Sequence, residues 1–408
     1  MKAKYIFLTI LIMIIFLAFS SNAMAQPNIT GESAILVEAE TGKILWGKNE
    51  REQRAPASIT KLVTALVAIE KGDLEAEVTV SQNAVNTIGS RAWLREGEIK
   101  TLENLLYAIM LDSGNDAAIA IAEHIGGTVD NFVEMMNQTA RELGAYSSNF
   151  TNPTGLSSQG HYSTAYDIAL IMKAVLENPI LKEMVGTEIR EWNSLDRQSN
   201  LANTNQLLRL YEGTLGGKTG YTTEAGSCLV NAVARDGMVL ISVVLGSNSQ
   251  NIWSDSTRIL DFGYNNFHRM KLVDQGEEIL QIDMNGRVVP VLARRVGDYL
   301  TSRDSDVLPI QQIKMQHFNL PLQEGDAIGT LEFIVDGEII ESVELVAGIN
   351  VRRPITLVGV YVVVSLIFFG LVALALLLKV INTLRKRRSS MYVHKDRGTK
   401  YGSSRMYQ

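Results

Sequence analysis

The sequence predicts an exported α+β or mixed α/β domain, a small all-β domain after it, and one membrane-crossing helix near the end. Three observations carry that order. Residues 33 to 263 mix strand-like runs with apolar positions at helical spacing. Residues 268 to 350 hold short apolar segments joined by Asn-Gly and Asp-Gly turns. Ile355 to Leu378 is 24 residues without a charged side chain, ~36 Å as a helix against a hydrocarbon core of ~30 Å.

The N-terminal elements come first. Lys2 and Lys4 precede the apolar run Ile6 to Phe19, and the small-residue site Ala23-Met24-Ala25 follows. That is the pattern of a secretory signal peptide over residues 1 to 25. Residues 26 to 267 then form the main domain. Ala34-Ile35-Leu36-Val37 and Ile44-Leu45-Trp46 flank Thr41-Gly42 and read as strand, turn, strand. After Pro56, Leu62, Leu66 and Ile69 predict a helix from Ser58 to Ile69 that ends at Lys71-Gly72. Leu102, Leu105, Leu106 and Ile109 predict another over 102 to 111. A polar break from Asp112 to Asp116 separates it from an alanine-rich helix, Ala117 to Ile125. Helices at 129–143, 163–177 and 255–263 and strands at Leu229–Val233 and Val239–Leu245 complete the domain.

From 268 to 350 the pattern changes. Asn285-Gly286 joins Ile279–Met284 to Val288–Leu292, and Asp336-Gly337 joins Leu331–Val335 to Ile339–Leu345. Asn, Asp and Gly tolerate the positive φ of two-residue hairpin loops. The apolar run 355 to 378 follows, then a basic tail over 379 to 408.

Charge orients the chain. The net charge is −6, but the stretch from Lys379 carries nine Lys or Arg against Asp396 alone, so it is +8 and the rest is −14. Positive residues stay in the cytoplasm, which places the tail inside and the acidic body outside, as a single-pass cell-membrane protein. The tail suits contact with membrane lipids, and an acidic exported body argues against nucleic acid. Cys228 is the single cysteine, so no internal disulfide forms; it reads as a small buried residue.

Three short motifs carry the chemistry. Ser58-Ile59-Thr60-Lys61 puts a hydroxyl and an amine one helical turn apart. A serine needs a base, and a desolvated lysine can be that base. Ser113-Gly114-Asn115 lies in a loop between two helices, 55 residues on from Ser58. Lys218-Thr219-Gly220 follows Gly216-Gly217, another 105 residues on. Ser-x-x-Lys, Ser-x-Asn and Lys-Thr-Gly, in that order, are the motif set of penicillin-binding proteins and class A β-lactamases.

With these residues the chain resembles the serine D-alanyl-D-alanine carboxypeptidases, the low-molecular-weight penicillin-binding proteins. The resemblance extends to Pro56-Ala57-Ser58-Ile59-Thr60-Lys61, to Asn152-Pro153-Thr154-Gly155-Leu156 and His161-Tyr162-Ser163-Thr164-Ala165, and to Gly217-Lys218-Thr219-Gly220-Tyr221-Thr222. It implies an α/β plus α penicillin-binding/β-lactamase-like catalytic domain and removal of the terminal D-alanine from peptidoglycan stem pentapeptides. It also implies β-lactam antibiotics as covalent inhibitors. Ser58 would be the nucleophile, Lys61 its base, Ser113 a proton relay and Asn115 a holder of the substrate amide or of Lys61. Lys218 and Thr219 would receive the terminal carboxylate, and the backbone N–H groups of Ser58 and Tyr221, beside Gly220, would bind the oxyanion.

One departure stands out. Many relatives place an arginine just past the strand that follows Lys-Thr-Gly, where this chain reads Asn251-Ile252-Trp253-Ser254-Asp255 and the nearest arginine is Arg258. The carboxylate contact then rests on Lys218 and Thr219, or Arg258 reaches in.

Other chemistries fit less well. The histidines form no His-x-x-x-His or Cys/His cluster, so neither a metal nor another cofactor is expected. His161 reads as a polar residue bonded within its own block, and the four tryptophans as packing. A β-lactamase shares the three motifs, but no Glu-x-x-x-Asn block stands between Asn115 and Lys218. A D,D-endopeptidase and a catalytically idle wall-binding protein are the remaining alternatives.

Overall fold

The structure is a computed structural model, and it describes residues 26–196, 199–284, 286–353 and 357–395. The expected signal peptide, Asn285 of one hairpin turn, and Ile355 at the start of the expected membrane segment lie outside the described residues. The chain divides into two compact units, Met1–Met270 with Asp298–Val307, and Lys271–Gly297 with Leu308–Gln408.

The first unit is built on one antiparallel sheet. Its strands are β1 (Ser33–Glu38), β2 (Ile44–Lys48), β3 (Thr214–Thr222), β4 (Gly226–Arg235) and β5 (Met238–Ser247), in the order β2-β1-β5-β4-β3. Alternation along the strands divides the core. Ile35, Val37, Val230, Ile241 and Val243 face one apolar cluster, while Ala34, Leu36, Leu229, Leu240 and Val244 face another. A strand buried on both faces reads as a near-continuous apolar run. That is why 229–233 and 239–245 are legible from sequence.

Helices cover both faces. They are α1 (Lys61–Lys71), α2 (Leu102–Leu111), α3 (Asn115–Gly126), α4 (Val129–Glu142), α5 (Ala165–Glu177), α6 (Pro179–Gly186) and α7 (Ile252–Asn266). The larger cluster joins the sheet to α1 through α6, and the smaller one to α7. Thr101, Thr128 and Thr164 cap α2, α4 and α5 by accepting from backbone N–H groups, and Asn178 caps α6 ahead of Pro179. Asp298–Val307 also belongs to this unit, and Leu300 is buried in the smaller cluster.

Two differences from the sequence reading matter for function. The helix expected from Ser58 begins instead at Lys61, and Ala57–Thr60 is a 3₁₀ turn. Pro56 and the positive φ of Ala57, 49°, hold this stretch out of the regular helix. The Lys-Thr-Gly segment lies in an edge strand, β3, which the sequence pattern does not mark. Its glycines break the apolar alternation that marks a strand.

The second unit holds an antiparallel five-stranded sheet. It comprises β6 (Glu278–Met284), β7 (Arg287–Ala293), β8 (Ile310–Met315), β9 (Ala327–Val335) and β10 (Glu338–Ala347), in the order β6-β7-β10-β9-β8. Asp336 and Gly337 both take positive φ, 52° and 85°, in the hairpin between β9 and β10. Val289, Val291, Leu331, Phe333, Val343 and Leu345 make its core. The helix α8 (Leu357–Lys395) follows, and its segment Leu357–Arg388 is long and apolar enough to cross a membrane.

Candidate active site

The 3₁₀ turn presents Ser58 just ahead of α1, so the Ser58 hydroxyl and the Lys61 amine meet across the junction. Lys61 Nζ lies 3.1 Å from Ser58 Oγ, 2.7 Å from Asn115 Oδ1 and 2.6 Å from the Thr154 carbonyl oxygen. Asn115 is the first residue of α3. Its Nδ2 donates to the Ile88 carbonyl at 2.6 Å, which turns Oδ1 toward the lysine.

Lys61 is fully buried. Burial is the largest cause holding its amine well below the usual lysine value, and the Lys218 ammonium pushes the same way, while Asp116 opposes both. Asp116 is spent on backbone. Its carboxylate accepts from Ala92 N at 2.8 Å, Ala117 N at 2.9 Å and Leu94 N at 3.2 Å.

Ser113 closes α2's exit. It sits at a φ of 61°, and its Oγ is buried without a hydrogen-bond partner among the described residues. A strained, unsatisfied hydroxyl that lines the same cleft as Ser58 is a group able to meet a ligand.

Strand β3 supplies the opposite wall. A cleft of about 420 Å³ is lined by Ser58, Ser113, Thr219, Gly220, Tyr221 and Trp253, among others. Gly220 lets β3 press against the nucleophile turn: a Cβ there would stand 2.8 Å from Ser58 N. Thr219 Oγ1 faces Thr204 Oγ1 at 2.6 Å. Tyr221 is exposed.

Lys218 is buried behind this wall rather than lining it, and its amine donates to the Thr219 carbonyl at 3.2 Å. Burial lowers it to about 7, against a smaller upward pull from Asp112. Arg258 stays away from the cleft. Its guanidinium donates to the Asn28 carbonyl at 3.1 Å, and it lines a separate cavity with Pro27, Asp261 and Phe262.

The middle block lies behind Lys61. Thr151 N donates to His161 Nδ1 at 3.1 Å, so the ring proton is on Nε2, which faces Thr60 Oγ1 at 2.9 Å. Burial lowers His161 to about 4, with a further push from Lys61, so it is neutral near pH 7. Its two ring nitrogens are thus engaged by Thr151 and by Thr60 in the 3₁₀ turn.

Sequence reasoning left several cleft residues unmarked. Asp112, Thr204, Gln206, Ser249 and Trp253 line it, from chain positions up to 141 residues apart that no short motif joins. Trp253 thus faces the cleft, Trp192 is buried, and Trp93 is half-exposed at a φ of 63°. Cys228 lines the cleft floor, with burial pushing its thiol up to about 11. At neutral pH it is protonated and a poor nucleophile.

The geometry has clear counterparts among known proteins. Residues 20–249 match the D-alanyl-D-alanine carboxypeptidase family of peptidases, and residues 267–353 match the C-terminal domain of penicillin-binding protein 5. The chain is 33% identical over 372 residues to the D-alanyl-D-alanine carboxypeptidase DacF of Bacillus subtilis, covering 86% of this chain and 95% of that protein. Penicillin-binding protein 5 from Haemophilus influenzae superposes with a TM-score of 0.64 at 29% identity, over 81% of this chain and 99% of that one. The carboxypeptidase DacD from Francisella tularensis superposes with a TM-score of 0.62 at 26% identity, over 83% and 98%.

Proposed function

The chain belongs to the D-alanyl-D-alanine carboxypeptidase family and is a serine-type carboxypeptidase that binds penicillin, and we propose that it trims peptidoglycan stem pentapeptides through an acyl-enzyme on Ser58. The observation that carries this is the contact of a buried, unprotonated-leaning Lys61 with Ser58 Oγ at 3.1 Å on the wall of the cleft.

Ser58 Oγ attacks the carbonyl between the two D-alanines, and its proton passes to Lys61 Nζ. The backbone N–H groups of Ser58 and Tyr221 receive the developing oxyanion. Collapse breaks the peptide bond. The leaving D-alanine nitrogen takes a proton through Ser113 Oγ, whose hydroxyl has no other partner among the described residues. Water then attacks the acyl carbonyl, and Ser58 is released with its proton restored. Thr219 contacts the terminal carboxylate directly. Lys218 acts from behind as a cation that favours the carboxylate and depresses Lys61. A free terminal carboxylate distinguishes an exopeptidase substrate from an internal peptide. Gly220 keeps β3 close enough for these groups to converge.

The enzyme works at the membrane surface. Residues 1–25 direct export, α8 anchors the body outside a cell membrane, and the basic residues from Lys379 on contact lipid headgroups inside. Cell-wall peptidoglycan is then its substrate, and β-lactam antibiotics acylate the same serine.

The test uses the full chain in detergent. Incubation with diacetyl-Lys-D-Ala-D-Ala should release D-alanine, and a fluorescent penicillin should label the wild type but not Ser58→Ala. Wild-type protein that takes no label would defeat the acyl-enzyme reading. Rapid penicillin turnover would make it a β-lactamase instead.

A further inference from the structure

Three partners surround the Lys61 nitrogen, and their chemistry decides where its lone pair points. A neutral amine has two N–H donors and one lone pair. Asn115 Oδ1, at 2.7 Å, and the Thr154 carbonyl, at 2.6 Å, can only accept. Both N–H groups are therefore engaged, and the lone pair is left for the Ser58 hydroxyl at 3.1 Å. If either acceptor moved, the amine would be free to turn.

Asn115 is fixed by α3 and by Ile88. The Thr154 carbonyl has no side-chain rotamer of its own, so its aim depends on its turn. The Asn152 side chain makes most of the bonds within that turn. Asn152 Oδ1 accepts from Thr154 N at 3.1 Å, Thr154 Oγ1 at 2.8 Å and Gly155 N at 2.8 Å. Asn152 Nδ2 donates to the Leu156 carbonyl at 2.9 Å. Neutral His161 braces the residue before it by accepting from Thr151 N at 3.1 Å, and its other nitrogen meets Thr60, the neighbour of Lys61. Thr64 in α1 adds a bond to the Pro153 carbonyl at 2.7 Å. The segment 151–155 is thus tied to the 3₁₀ turn, through His161 and Thr60, and to α1, through Lys61 and Thr64. Asn152 itself neither bonds to Lys61 nor lines the cleft.

We propose that Asn152 is a positioning residue for the reaction: through the Thr154 carbonyl it directs the lone pair of Lys61 onto Ser58. This rests on the acyl-enzyme reading and adds to it the device that orients the base. Because Asn152 touches no substrate, its loss should act on the chemical step and leave ground-state binding alone.

The experiment compares the full-length wild type with Asn152→Ala and Asn152→Asp in detergent. Aspartate keeps the acceptor oxygen and loses the Nδ2 donor, which faces the Leu156 carbonyl at 2.9 Å, Ser158 Oγ at 3.2 Å and His161 Nδ1 at 3.4 Å. For Asn152→Ala, kcat on diacetyl-Lys-D-Ala-D-Ala and the penicillin acylation rate should fall roughly 10- to 100-fold, the cost of a small misplacement at a reacting centre, while KM stays within about twofold. Asn152→Asp should recover kcat to within about threefold of wild type, given the retained acceptor. Asn152→Ala with a kcat near wild type overturns the proposal. So does equal impairment of both variants, which would mean a packing role. If Asn152→Ala fails to fold, Asn152→Asp decides alone: a retained kcat supports the acceptor role and a lost one overturns it. Labelling of the wild type with loss of label in Ser58→Ala reports separately on the acyl-enzyme itself. A wild type without label fails that reading, whereas a labelled wild type with a normal Asn152→Ala fails only the positioning role.

Discussion

At the scale of single residues, two buried lysines with different duties share one neighbourhood. In the proposed reaction Lys61 must be neutral to accept a proton, and burial with the nearby Lys218 charge favours that state. Acylation should therefore fall as pH drops through the lowered value of Lys61. In the same proposal Lys218 must be charged to favour a carboxylate, and burial brings it to about 7 in the free enzyme. Its cation is lost as pH rises past that value, so KM for the peptide should increase on the alkaline side. A pH profile of kcat/KM should then be bell-shaped. Lys218→Gln should raise KM by roughly tenfold, the scale of a lost short-range charge attraction that involves no direct bond. It should also move the acid limb to higher pH, because the charge that depresses Lys61 has gone. An unmoved acid limb would sever the link between the two amines. Ser58→Ala should lower D-alanine release by at least about a thousandfold with the fold intact by circular dichroism.

At the scale of elements, the site exists because three segments approach more closely than side chains allow. Gly220 in β3 and Gly155 in the middle block both abut the nucleophile turn. A Cβ at 155 would lie 2.0 Å from the Ala57 carbonyl oxygen, and its φ of +81° is unfavourable for an L side chain. Gly155→Ala should lower stability by at least about 2 kcal/mol, read as a shift of the denaturant midpoint, and abolish labelling. Gly220→Ala meets Ser58 N at 2.8 Å without a positive φ. It should fold and lose about a hundredfold in acylation, the cost of a slightly displaced nucleophile. Helices α2 and α3 were legible because their apolar spacing and flanking polar residues agree. The 3₁₀ turn and β3 were not. Ala57 takes a conformation its side chain disfavours, and the glycines of β3 carry no alternation, so both states are imposed by their neighbours.

At the scale of the molecule, the unit that folds with the site extends beyond its contiguous sequence. Leu300 is buried in the cluster with Leu36, Leu240 and Phe262, 33 residues past the end of the expected main domain at 267. A protein ending at residue 267 should melt on the order of 5–10 °C below one ending at 353, from the loss of one buried leucine and its neighbours. A protein ending at 353 lacks α8. It should be soluble without detergent, keep its kcat on a soluble tripeptide and lose activity on intact cell wall. Equal loss on both substrates would assign α8 and its flanks a role in folding.

Residue types and composition alone carry the candidate chemistry and the candidate membrane span. The proposed nucleophile and base, the Ser113–Asn115 loop and the Lys-Thr-Gly segment are read from residue types at short spacings, because reactivity belongs to functional groups. The apolar run before the basic tail is read the same way, because transfer into a bilayer depends on composition and length. Tertiary packing sets how those groups meet. It put the Lys61 amine between two pure acceptors, buried Lys218 behind the cleft, turned Arg258 to Asn28, and brought Asn152 to bear on a lysine 91 positions away. Hydrogen-bond direction and burial depend on distances of a few ångströms between segments remote in the chain. Such distances are fixed by packing, and no local spacing records them.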